Sequence, residues 1–247
     1  MHSSAASRIH PAGRAVALFA VSSRELAGRR IVVDGRRISA LATGRLALLL
    51  CYVDPIEYGP GELERRRLDV AWQANEARIH ERAVERASVH GSVLPLRPLT
   101  IVPDASALEA YAREHAARWS RSLARLSEKR ECAVHLYAGP HVGSLDAPYL
   151  VRVVQRATRT SRTPALDATP EIAAYAQRLW GACTALAQAV RRVDSASRRG
   201  ALWSAALLVA ESDLEALREM LERTARQGNA LGVTAYLEGP RPPFSFV

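Results

Sequence analysis

Apolar runs and helical stripes succeed one another along the chain, and their order predicts its elements. Arg14 to Ser22 is almost continuously apolar, which suits a strand at the centre of a sheet. Ile31-Val32-Val33 and Ile38 flank Asp34-Gly35, a two-residue hairpin signal, because both central positions need positive φ. Arg45 to Val53 reads as the next strand, and Asp54 to Gly61, with two prolines and two glycines, reads as loop. Glu62 to Ala87 reads as one long helix with Leu68, Trp72, Ile79 and Ala83 inward, stopped by Gly91. Ser92 to Val102 is a strand. Its Pro95 and Pro98 each remove a ladder donor, which predicts an edge or a bulged crossing position.

Asp104 or Ser106 caps the following helix, whose stripe is Leu108, Tyr111, His115, Trp119, Leu123 and Leu126; it is expected to link two halves of the molecule. Cys132 to Tyr137 reads as strand, Ala138 to Pro148 as loop and Thr160 to Ala168 as polar linker, while Tyr149 to Arg159 fits helix or strand. Thr169-Pro170-Glu171 opens a helix with a cap, a first-turn proline and an acid, and its stripe runs from Ile172 through Tyr175, Leu179, Cys183 and Leu186 to Val190. Ala201 to Ala210 is a strand. Ser212-x-x-Glu215 reads as a capping box for a helix with Leu214, Leu217 and Leu221 inward, closed by Gly228, before a last strand at Leu231 to Leu237. This order predicts an α+β chain with helices covering one face of each of two small sheets, and its last part, strand–helix–strand–helix–strand, suggests a modified ferredoxin-like unit. The expected divisions are a flexible tail over 1–13, an N-terminal α+β domain over 14–104, a C-terminal domain with the linking helix over 105–238, and an extended proline-rich tail over 239–247.

Composition narrows the function. At 247 residues, 48% hydrophobic and 24% charged, the chain is globular and long enough for a packed core without staples. The longest apolar run, Leu46 to Val53, is too short to span a membrane, and Ala15 to Val21 reads poorly as a secretory signal because Arg24 and Glu25 follow at once. The net charge of +9 is spread along the chain, with 15 basic and 11 acidic groups before residue 105 and 19 and 14 after it. Lys129 is the single lysine, so abundant arginine reflects a GC-rich genome rather than a binding surface, and Arg29-Arg30 and Arg65-Arg66-Arg67 read as solvated faces. A pI of about 10.2 still permits attraction to an acidic protein partner.

Candidate chemistry is sparse. Cys51, Cys132 and Cys183 lie far apart without a Cys-x-x-Cys pair, which argues for buried reduced thiols and against disulfides or zinc. No Walker loop or Gly-x-Gly-x-x-Gly occurs, Gly59-Pro60-Gly61 is too short to cradle phosphate, and Ser92 and Ser204 lack a nucleophile-elbow setting. Glu76 and His80 share a helix face, for which a surface hydrogen bond is a simpler reading than a metal. His135 and His141 around the Ala138-Gly139-Pro140 turn read as structural or solvent-facing. No catalytic, metal or cofactor site is expected. Aromatic residues, 6% of the chain, fall mostly on helix stripes rather than on a basic strand surface for nucleic acid.

Two segments stand out: Ser92-Val93-Leu94-Pro95-Leu96-Arg97, preceded by Asn75-Glu76 and His80, and the terminal Gly239-Pro240-Arg241-Pro242-Pro243-Phe244-Ser245-Phe246-Val247. In this order they resemble the gas vesicle protein F/L family, with its "VLPLRFGT" strand after a helix and its "TGPWPPYSFV" end. Pro98-Leu99 stands where that pattern has Phe-Gly, Arg241 where it often has tryptophan, and Phe244 where it has tyrosine. The resemblance implies a fold of two α+β domains, the second modified ferredoxin-like with an added helical part, and a cytoplasmic, non-enzymatic accessory protein without cofactor. Its implied partners are the very hydrophobic main gas vesicle shell protein and other gas vesicle accessory proteins, not nucleic acid or membrane, and its implied task is to nucleate or chaperone the shell. The oligomeric state is left open. Candidate partner contacts are Leu94, Leu96, Arg97, Arg241, Phe244 and Phe246, with the strand Ser92 to Val102 as an edge for capture. The three tail prolines lower the entropy of ordering, and Phe244 and Phe246 alternate toward one side of an extended chain. That tail either organises a binding cleft or touches a partner, or simply seals the seam between the domains. The alternative function is a basic α+β nucleic-acid-binding or regulatory module, whose binding would weaken steeply with salt.

Overall fold

In the computed structural model, which describes residues 13–138, 169–193 and 201–247, two antiparallel sheets account for all nine strands among those residues. The first sheet contains β1 (Ala15–Ser23), β2 (Arg30–Val33), β3 (Arg36–Thr43), β4 (Leu46–Val53) and β5 (Val93–Val102), in the order β2-β3-β4-β1-β5. The β2–β3 hairpin turns at Asp34 (φ 47°) and Gly35 (φ 80°), as the Asp-Gly signal predicts. β5 is an edge strand and also bulged, for the reason its two prolines give.

Two sequence expectations fail after β4. Asp54 to Gly61 is not loop: α1 (Pro55–Tyr58) and α2 (Pro60–Arg66) start there, because Asp54 Oδ1 accepts from the Ile56 N–H at 2.8 Å and both prolines occupy first-turn positions that need no N–H. Nor is Glu62 to Ala87 one helix. The chain breaks after Arg66, and Asp69 caps α3 (Val70–Ser88) by accepting from the Trp72 N–H at 2.9 Å. Leu68 falls in this break and is 90% exposed rather than inward.

The first sheet is covered on both faces, not one. Ala15, Ala17 and Phe19 pack with Ile79, Ala83 and Val84 of α3, whereas Val16, Leu18 and Val21 pack with Leu108, Trp119 and Leu123 of α4 (Ala105–Leu126). A strand apolar on both sides requires this, since either bare face would stay wet. Asp104, of the two candidate caps, accepts from the Ala107 N–H at 2.8 Å.

The second sheet contains β6 (Lys129–Ala138), β7 (Ala189–Val193), β8 (Ala201–Ala210) and β9 (Val233–Arg241), in the order β7-β8-β6-β9. With α5 (Pro170–Leu186) and α6 (Leu214–Ala230) between them, the described elements follow the β-α-β-β-α-β order of the ferredoxin-like motif. Thr169 caps α5 as expected, accepting from the Ile172 N–H at 3.4 Å. Val190 lies in β7 and not on the helix, because Gln188 N–H already donates to the Leu208 carbonyl at 2.8 Å and starts strand pairing. Ser212 and Glu215 form no capping box, since Ser212 Oγ donates instead to Asp213 Oδ1 at 3.1 Å. Gly228 does not close α6 but lies inside it, where a Cβ would stand 2.7 Å from the Tyr175 hydroxyl; it is required by the close approach of the two helices. The readings for 1–12, 139–168 and 194–200, including His141, lie outside the described residues.

α5 and α6 cover one face of the second sheet. From the other face, Ala206 and Leu208 join the cluster that contains α4, the first sheet and Phe246.

Candidate functional site

The terminal segment is built into the junction. β9 extends past the expected strand end to Arg241, and its pairing with β6 shifts so that Gly239 and Pro240 stand against Cys132 alone. Gly239 (φ 108°) is needed there, because a Cβ would lie 2.8 Å from the Glu131 carbonyl oxygen. After this bulge Arg241 faces Glu131 directly.

Glu131, fully buried, gathers the tail. Arg241 Nε and Nη2 donate to its Oε1 at 3.2 and 2.8 Å. The Ser245 backbone N–H donates to Oε2 at 2.6 Å and the Ser245 hydroxyl to Oε1 at 2.9 Å. Arg241 Nη1 also donates to Glu238 Oε1 at 2.8 Å. Such a network is strong only while complete, since a buried charge without its partner is costly. Beyond it, Phe244 to Phe246 form a tight 3-10 turn. That turn overrides the simple alternation: Phe244 packs on the α3 side of the first sheet and Phe246 enters the α4 side, rather than both pointing one way. Arg125 of α4 donates to the Phe246 carbonyl at 2.7 Å.

β5 carries the other candidate residues. Its pairing with β1 is interrupted where Leu96 to Leu99 stand opposite Phe19 alone. Pro98 and Leu99 (φ 61°) occupy the centre of a turn closed by Thr100 Oγ1 donating to the Arg97 carbonyl at 2.7 Å. Proline pre-sets the first central position, and leucine takes the left-handed second position that glycine normally fills. Leu94 is buried, Leu96 is half-buried and Arg97 is exposed.

The six expected contacts are therefore not one surface. Leu94, Leu96 and Phe246 meet in a core cluster, Arg241 is held by carboxylates, Phe244 is half-buried and Arg97 faces water. Glu131, which gathers the tail, carries little signal in the sequence, because it follows Glu128-Lys129-Arg130 and looks like the last member of a charged stretch before the apolar run Cys132-Ala133-Val134.

The remaining polar candidates are structural. Glu76 and His80 are buried rather than joined at the surface. Glu76 Oε2 accepts from Arg36 Nη1 at 2.6 Å, and Arg36 Nη2 also donates to the Tyr58 hydroxyl at 2.6 Å. Burial and the Glu76 carboxylate push the Tyr58 phenol up to about 12. His80 stacks on Phe19, with ring centroids 5.5 Å apart. Burial lowers its pKa to about 4, against an opposing hydrogen bond to the Leu96 backbone. His135 shares a hydrogen bond with Ser204 Oγ at 2.8 Å and lies 3.4 Å from Glu238 Oε2, the structural role expected of it. The three thiols are free and buried, and burial pushes Cys51 and Cys132 to about 11 and Cys183 to about 12. Among the described residues no three His, Cys, Asp or Glu side chains gather as a metal site, and no helix is long and apolar enough to cross a membrane.

Comparison with known proteins gives a consistent result. The sequence pattern of the family described as gas vesicle synthesis protein GvpL/GvpF matches residues 16–247. Gas vesicle protein L of Streptomyces sp. (strain CB03234) is 29% identical over 108 residues, which are 44% of this chain and 41% of that protein, so the match spans about two-fifths of that relative's length. The crystal structure of GvpF from Anabaena sp. PCC7120 superposes with a TM-score of 0.66 at 13% identity, covering 94% of this chain and 98% of that one. GvpF from Microcystis aeruginosa superposes with a TM-score of 0.64 at 12% identity and the same coverage. At these identities the two structures establish the α+β fold.

Proposed function

The chain belongs to the gas vesicle synthesis protein GvpL/GvpF family, and from that premise we propose that it is a non-enzymatic, cytoplasmic accessory protein of gas vesicle assembly. It binds the hydrophobic main shell protein, alongside other accessory proteins, and helps to nucleate or chaperone the shell. The observation that carries this reading is the family pattern, which runs through both sheets and the docked tail.

The physical logic is one of shielding. A shell subunit with an apolar face aggregates when released bare, and a protein that covers this face delays aggregation until the subunit is handed on. Such a role needs a preformed surface and no nucleotide or metal. The expectation is that purified chain binds main shell protein in calorimetry or pull-down without nucleotide, and that binding survives raised salt. Absence of binding contradicts the reading, and binding that collapses with salt as for phosphate contacts points instead to a nucleic-acid module.

A further inference from the structure

We propose that the half of the first sheet over β2 and β3 on the α4 side, which no helix among the described residues covers, is the docking face for an amphipathic helix with an acidic polar side, carried by the shell-building partner. This rests on the reading above that the chain captures a shell subunit.

Strand register defines the face. Ser39 pairs with Leu50, Leu41 with Leu48 and Thr43 with Leu46, while Arg30 pairs with Ser39 and Val32 with Arg37. Directly paired residues share a side of the sheet. Leu46, Leu48 and Leu50 lie in the cluster beneath α4, so Arg30, Val32, Arg37 and Leu41 face that side too. α4 packs over β5 and β1. A helix is about 10 Å across and strands are about 4.8 Å apart, so one helix covers about two strands. β3 and β2 lie roughly 10–14 Å from β1, where a second helix would sit alongside α4 at ordinary interhelical spacing.

Exposure agrees with that geometry. On the α3 side, Val33 and Ile38 of the same hairpin are wholly buried. On the α4 side Val32 is 54% exposed, Arg30 and Arg37 are exposed and Leu41 is half-buried. A cavity of about 670 Å³ continues this face between the β3–β4 turn and the flank of α4, with Thr43 and Arg45 on one wall and Ala112, Arg113 and Ala116 on the other.

Charge and backbone chemistry select the occupant. Arg30, Arg37, Arg45 and Arg113 surround an aliphatic floor, with Glu109 the acid lining the cavity, so a partner with carboxylates flanking an apolar stripe is complementary. Addition of a strand fits less well. β3 is already paired on both sides, and Arg86 of α3 donates to the Val32 carbonyl, blunting the β2 edge. Apolar anchors at helical spacing laid into a groove are the remaining mode.

The test is calorimetric titration of the full chain with purified main shell protein, comparing the unaltered chain with Val32→Glu and with the double variant Arg37→Glu/Arg113→Glu. Each is expected to lose about ten-fold or more in affinity, as an interface anchor does, with an unchanged melting temperature. Ile56→Glu, on the exposed side of α1, is expected to bind like the unaltered chain. Unaltered binding by the hairpin and α4 variants overturns this inference while leaving the shell-binding reading intact. No binding by the unaltered chain overturns both. Full displacement of shell protein by duplex DNA assigns the arginines to nucleic acid and overturns it as well.

Discussion

The junction under the terminal segment and the half of the first sheet over β2 and β3 on the α4 side are built from the same materials, arginines and aliphatic side chains, to opposite ends. At the junction Arg241 is 7% exposed and held by Glu131 and Glu238, with Phe246 buried beside it. On the hairpin, Arg30 and Arg37 are exposed around a valine that is 54% exposed. A buried arginine with its carboxylates fixes one conformation, because losing either partner strands a charge. Exposed arginines around an apolar residue leave a surface that still gains by being covered. The contrast separates residues that hold the molecule together from those that the proposed partner would meet.

The sharpest way to break that contrast is at Glu131. Glu131→Ala is expected to lower unfolding stability by about 3–5 kcal/mol, the cost of a buried charge left alone, read by urea or thermal unfolding. The paired change Glu131→Leu/Arg241→Met should recover much of it. Phe246→Ala follows at about 3–4 kcal/mol for a buried ring, with Phe244→Ala costing less because Phe244 is only half-buried.

The pH dependence sharpens the same distinction between buried and exposed groups. His80 has a folded pKa of about 4 against about 6.5 unfolded. Between those values the unfolded chain binds the proton and the folded chain does not, so stability falls as pH is lowered from 6.5 toward 4. The loss is on the order of 3 kcal/mol. Melting curves at pH 7 and 4.5 should show a smaller drop for the non-titrating His80→Phe than for the unaltered chain. Leu99→Gly is expected to stabilise by about 1 kcal/mol, since it relieves the left-handed leucine, visible as a raised melting temperature. Val32→Glu should change stability by less than about 0.5 kcal/mol, as an exposed substitution does. A large loss there would move Val32 into the group that holds the fold.

Much of the architecture was legible. Asp34-Gly35 places the hairpin, two prolines place β5 at a bulged edge, and Thr169-Pro170 starts α5. The failures have two causes, competition among neighbouring residues for the same backbone groups and tertiary contacts that no single segment contains. Pro55 and Pro60, which suggested loop at 54–61, sit in helix first turns, where the missing N–H costs nothing; Asp54 caps the first of the two helices, and the second starts after Gly59 without a side-chain cap. Gly228 looked like a stop but answers to Tyr175, remote in sequence. Phe244 and Phe246 looked alternate because nothing local announces the 3-10 turn. Site legibility was poorer for the second of these reasons. Arg241 was singled out, yet its partner Glu131 lies on another strand, and the exposure of Val32 depends on where α4 stops covering the sheet.

The most direct test of the central claim is amide hydrogen exchange of the full chain with and without main shell protein. The account predicts new protection over residues 30–43 and along α4 from 109 to 120, with exchange at 239–247 unchanged. Protection confined to the terminal segment and β5, with the hairpin unaffected, would contradict it.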